Sequence, residues 1–164
     1  GRPVLGVCGG YQMLGTAIHD PDHVESLTET TAGLNLLPVV TTFARRKTTV
    51  RISARVAAVP GLLEAAAGME ITAYEIHAGQ TSVSGAASAT PRPFTVVARQ
   101  GSSVHDPDGA VNAAGNVLGT YLHGLFGNDG LRRAILTHLA ERSGRAQDKD
   151  DGGGLESLRR AGYM

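Results

Sequence analysis

The chain's only cysteine, Cys8, stands in the stretch GVCGG, directly after the apolar run Pro3-Val4-Leu5-Gly6-Val7. Strand, then G-V-C-G-G, then helix is the layout of a nucleophile elbow, a turn so tight that flanking side chains must be nearly absent. Gly6, Gly9 and Gly10 meet that demand by residue type. Such a turn presents its nucleophile at the carboxyl end of a strand, where open α/β sheets place ligands. A thiol at a helix N-terminus also feels the helix dipole, which favours thiolate. The backbone N–H of Gly9 is then a candidate donor to the oxyanion that thiolate attack would create. The competing reading is a small buried cysteine acting as a hydrophobe, a common fate of free thiols.

A nucleophile of this kind needs a base. Six histidines are available. His19, His23, His105 and His138 fall in polar loops or on the last helix, where solvation is the simpler expectation. His123, in GTYLHGLF, follows the apolar stretch Val117 to Leu122 and precedes Gly124. That placement lets it reach Cys8 if the two strands are neighbours, and a Cys–His pair activates a thiol for acyl transfer. His77 lies in YEIHAGQT two residues after Glu75, so on a strand the two side chains share a face. From spacing alone that pair reads as a polar strand edge near a hairpin. The histidines show no C-x-x-C or H-E-x-x-H pattern, so no zinc site is expected, and no Walker-type phosphate loop is present.

The elements that must position these residues belong to a chain of 164 residues, enough for one domain with a real core. Apolar residues make up 41%, and fifteen basic side chains balance fifteen acidic ones. There is no basic excess to hold nucleic acid or an anionic membrane surface. One cysteine cannot close an internal disulfide, no apolar run approaches a membrane span, and no signal peptide opens the chain. A soluble cytoplasmic protein is expected.

Pro3 to Val7 reads as a strand buried on both faces. Tyr11 to Ile18 has helical composition, with His19-Asp20-Pro21-Asp22 as its stop. Leu36 to Phe43, Thr48 to Val56, Met69 to Ile76, Phe94 to Arg99 and Asn116 to Leu122 read as strands, and Ala86 to Pro93 as a loop. Asn128 to Arg142 carries apolar residues at 131, 135, 136 and 139, spacing for a helix packed on one face, with Asp129 near its positive end. The whole suggests an α/β sheet with added antiparallel strands. A domain over 1–143 and a flexible polar tail over 144–164 are expected. Because a strand begins at residue 3 with no lead-in, the reading predicts that an N-terminal part is missing and the chain is the C-terminal portion of something longer.

The motifs GVCGGYQMLG, DPDHVES, GLNLLPVVTTF, YEIHAGQT and GTYLHGLFGND occur in an order similar to that of the class I, triad-type glutamine amidotransferase domain of cobyric acid synthases, in the cobalamin-pathway branch. The resemblance runs from about Gly1 to about Glu141. It implies a flavodoxin-like, three-layer α/β domain that hydrolyses glutamine through a cysteine thioester and releases ammonia. An N-terminal synthetase domain would use Mg and ATP to activate carboxylates of adenosylcobyrinic acid a,c-diamide, which ammonia converts to cobyric acid. This chain itself would need no cofactor or metal. Cys8 matches the family nucleophile and His123 its general base, with Gly9 and Gln12 at the bound glutamine.

Ordinary class I domains continue H-x-E, the Glu orienting the His. Here Leu125 holds that place, as in the cobalamin branch. The resemblance also moves Glu75 and His77 toward a site role, either orienting His123 or contacting the synthetase domain. The amidotransferases of cobyrinic acid a,c-diamide synthase and of lipid II isoglutaminyl synthase share the elbow and lack the Glu. A non-catalytic module on the same framework is the alternative from another class.

Overall fold

The computed structural model describes residues 2–45, 48–84 and 90–144. In chain order the elements are β1 (Val4–Val7), α1 (Gly9–Leu14), β2 (Ala17–His19), β3 (Thr30–Ala32), β4 (Val39–Thr42), β5 (Thr48–Val56) and β6 (Glu70–His77). They continue with β7 (Gln80–Val83), β8 (Phe94–Arg99), β9 (Ser102–Asp108), β10 (Ala110–Val111), β11 (Val117–Thr120), β12 (Leu122–His123) and α2 (Asp129–Ser143). Short 3-10 turns occupy Glu64–Ala66 and Leu125–Gly127. The fold is mixed α/β with strands predominating, as the sequence suggests.

The strands form three sheets, in the orders β1-β11-β10, β12-β6-β5-β8-β9 and β3-β2-β4-β7. In the first, β1 runs parallel to β11, with Val7 opposite Thr120. The five-stranded sheet is antiparallel throughout. Its inner face and the start of α2 enclose the larger core, including Ile52, Val56, Ile71, Phe94, Leu131 and Ile135. A smaller core joins Tyr11 and Leu14 to Leu37, Val39, Val117 and Tyr121. On β6 the alternation that buries Ile71 and Ala73 also turns Glu75 inward, so an ionisable side chain takes a core-facing position.

β5 and β8 match the sequence reading to the residue. Elsewhere the differences have physical reasons. The strand expected to be buried on both faces has one strand neighbour among the described residues, and Val4 is 37% exposed. The helix expected to reach Ile18 stops at Leu14, because Gly15 is extended and its N–H caps the Gln12 carbonyl at 3.2 Å. Residues 17–19 instead form a strand parallel to β4. Polar, exposed β3 and β9 carry no apolar alternation and escape the sequence reading, as do β7 and β10. On α2, Leu131 and Ile135 are buried as expected, but Leu136 and Leu139 are exposed and Ala134 takes their place. The tail after Gly144 and residues 86–89 of the expected loop lie outside the described residues. Among the described residues no helix is long and apolar enough to cross a membrane.

Candidate active site

Cys8 sits between β1 and α1 with φ 55° and ψ −116°. A residue with a Cβ is strained there, by on the order of 1–3 kcal/mol, unless its surroundings impose the conformation. They do. The Cys8 N–H donates to the Thr120 carbonyl at 2.9 Å, and the Gln12 N–H donates to the Cys8 carbonyl at 3.1 Å. Gly6 completes the turn, since a Cβ there would lie 2.6 Å from Leu14 Cδ1 and 2.7 Å from the Gly10 carbonyl oxygen. Gly9 and Gly10 differ from expectation: a Cβ at either would meet open space. The elbow therefore needs one of its three glycines for packing, and the other two leave the ground beside the thiol uncovered. The thiol is half-buried and donates to the Ile76 carbonyl at 3.3 Å.

While β11 is the parallel neighbour of β1, His123 lies on β12, which follows β11 after Tyr121 and belongs to the five-stranded sheet. It pairs in register with Tyr74 on β6, while Cys8 touches Ile76 of the same strand. Its Nε2 is buried and has no hydrogen-bond partner among the described residues. Such a nitrogen is expensive to bury unless something else comes to it. Leu125, where ordinary class I domains carry Glu, is 4% exposed and packs in the larger core.

Glu75 and His77 do share a face, but not with His123. Glu75 pairs with Leu122 and Tyr74 with His123, so the alternation of the strand sends Glu75 and His123 to opposite sides. His77 Nε2 donates to Glu75 at 3.3 Å and Nδ1 donates to the Gly79 carbonyl at 2.6 Å. Arg99 Nε donates to the other Glu75 oxygen at 2.8 Å, and its guanidinium also bonds Asp106. The hydrogen bond from His77, aided by Arg99, holds the Glu75 carboxyl down at about 2 despite its burial. Glu75 in turn raises His77 above the ordinary imidazole value.

Three participants escape sequence reasoning. Arg99 and Asp108 come from β8 and β9, and only strand pairing brings them to the site. Tyr121, between β11 and β12, stacks on His77 with ring centres 4.3 Å apart and meets Tyr11 edge-on at 5.2 Å. Its position two residues before His123 in GTYLHG is the one signal that points to it. Asp108 accepts from the Thr120 hydroxyl and from the Tyr121 N–H at 3.3 Å, and burial pushes its carboxyl up. A cavity of about 490 Å³ opens here, lined in part by Tyr11, Glu75, His77, Thr81, Asp108 and Tyr121.

The other histidines stay outside. His19 bonds Thr30, His23 bonds the Ser26 carbonyl, His105 is exposed on β9, and His138 lies on α2. Asp20 of the DPDHVES motif folds its own loop, accepting the N–H groups of Val24, Glu25 and Ser26 at 2.7–2.8 Å. Among the described residues no group of three or more His, Cys, Asp or Glu side chains is placed to hold a metal ion.

The chain is 43% identical over 160 residues to the cobyric acid synthase of Pelotomaculum thermopropionicum, covering 96% of this chain and 30% of that protein. It is 46% identical over 148 residues to the cobyric acid synthase of Salmonella typhimurium, covering 89% of this chain and 28% of that one. The chain thus spans under a third of the length of these relatives. A chain from the structure of PurLQS from Thermotoga maritima has the same fold, with a TM-score of 0.56 at 15% identity, over 84% of this chain and 62% of that one. A family model for the CobB/CobQ-like glutamine amidotransferase domain matches residues 1–131, and the chain belongs to that family.

Proposed function

We propose that this chain is the glutaminase portion of a cobyric acid synthase. The observation that carries the reading is the strained Cys8 at the end of a parallel strand, beside the strand that leads to a buried His123 nitrogen with no partner among the described residues. In this reading the Cys8 thiolate attacks the side-chain amide carbon of glutamine. The Gly9 N–H donates to the oxyanion, His123 delivers the proton with which ammonia leaves, and Gln12 holds the substrate. Water, deprotonated by His123, then cleaves the thioester to glutamate and frees Cys8. Ammonia serves a synthetase segment beyond this chain, where Mg and ATP activate carboxylates of adenosylcobyrinic acid a,c-diamide. The length of the matched relatives supports such a segment. The setting is the cytoplasm, where the substrates and a reduced thiol coexist.

The test is Cys8→Ser in the full-length protein. Glutamate release should vanish, while corrin amidation driven by free ammonium salts and ATP persists. Glutamine hydrolysis at the unmodified rate would remove Cys8 as nucleophile and the reading with it.

A further inference from the structure

Gln12 is a buried polar side chain, 6% exposed, one helical turn after Cys8. Its Nε2 donates to the Tyr121 hydroxyl at 3.3 Å. The phenol oxygen accepts there, which leaves its own proton for Thr81 Oγ1 at 2.5 Å. Thr81 then donates to Thr41 Oγ1 at 2.6 Å, a residue with no exposure at all. With the Gln12 amide in this orientation, the three hydroxyls can pass their protons along the chain in a single direction.

The ring of Tyr121 is held as firmly as its hydroxyl. Both nitrogens of His77 face acceptors, the Gly79 carbonyl and the Glu75 carboxylate, so both carry protons and the ring is an imidazolium. That cation stacks on the Tyr121 ring. Asp108 accepts the Tyr121 N–H at 3.3 Å and so holds its backbone as well.

We propose that Tyr121 is the positioning residue for the Gln12 amide, with Glu75 and His77 as its support, and that it sets the affinity of the site for glutamine. This gives the YEIHAGQT motif a part in substrate binding without contact with His123. It rests on the reading of Cys8 and Gln12 above. Because Tyr121 acts through the Gln12 amide, its loss should weaken binding of ground state and transition state alike.

The test is Tyr121→Phe in the full-length protein, which keeps the ring and removes the hydroxyl. KM for glutamine should rise roughly 10-fold, the consequence of leaving a buried donor unpaired, with kcat for glutamate release within about twofold. Amidation driven by ammonium salts should be unchanged. Thr81→Val, one step further along the chain, should give a smaller rise of the same kind and carries the test if Tyr121→Phe fails to fold. An unchanged KM in a folded variant overturns the proposal. So does a fall in kcat that ammonium-driven amidation shares, the mark of a merely structural role. Cys8→Ser is the control: if it still hydrolyses glutamine, the functional reading fails. If it is inactive while Tyr121→Phe is silent, only the role of Tyr121 fails.

Discussion

The elbow at Cys8 and the cluster around Glu75 are both functional candidates, yet they are built by opposite means. At the elbow, main-chain hydrogen bonds and one sterically required glycine impose a strained backbone, and the side chains are few and small. Around Glu75, the backbone is an ordinary strand, and charged side chains from β6, β8 and β9 impose the order on one another. Geometry held by the main chain has no titrating group in it. Geometry held by carboxylates and an imidazolium does. The first should respond to volume changes and the second to pH.

The largest expected effect tests the elbow's partner. His123→Asn should lower glutamine turnover by roughly 10²–10⁴, the usual worth of a positioned acid–base group, at unchanged stability. Glutamate release at saturating glutamine reads it, and a loss at His138→Ala with none at His123→Asn would reverse the assignment.

Gly6→Ala should come next. The added Cβ must displace the Gly10 carbonyl, and a shift near 1 Å beside a nucleophile can lower turnover about 100-fold. Gly9→Ala, with open space around its Cβ, should leave the melting temperature unchanged or slightly higher. Equal destabilisation by both substitutions, in thermal denaturation, would show that the turn is not held by packing at Gly6.

The cluster should reveal itself through pH. The folded-state pKa of Glu75 is lowered to about 2, so its contribution is complete above the unfolded value near 4.5 and is lost as pH falls between the two. The folded-state pKa of His77 is raised, so its contribution is complete below the unfolded value near 6.5 and is lost as pH rises through the higher folded value. The pair stabilises fully only between about pH 4.5 and 6.5. Glu75→Gln should lower the melting midpoint by roughly 4–8 °C within that window, from about 2 kcal/mol for a charged buried hydrogen bond, and flatten the decline of the profile on either side of it. A parallel profile for the variant would sever the link between cluster and pH.

The smallest effect is expected at His19→Ala, whose exposed bond to Thr30 lies outside both regions. Turnover and stability within about twofold and 0.5 kcal/mol of the parent would keep the comparison sharp.

Cys8, His123 and the strand–turn–helix order around the thiol were legible because they depend on local rules: apolar runs, glycines at a tight turn, a histidine closing a strand. The same rules marked β5 and β8, which are rich in Thr, Val and Ile. They failed at Ala17–His19, where a preceding helix-like stretch concealed a three-residue strand that exists only by pairing with β4. They also failed at Leu136 and Leu139, since periodicity reports a possible apolar face and not how far the neighbouring turns extend to cover it.

What the sequence determined by itself is the chemistry on offer, namely a lone thiol at an elbow and a histidine on a following strand, because those signals lie within a few residues of each other. What only the tertiary structure decided is which polar groups meet. Glu75 finds Arg99, His77 finds the ring of Tyr121, and Gln12 finds its hydroxyl, across separations of 24 to 109 residues for the hydrogen-bonded pairs. No local rule spans such distances. They close only when strand register, fixed by burying one face of each sheet, brings the partners side by side.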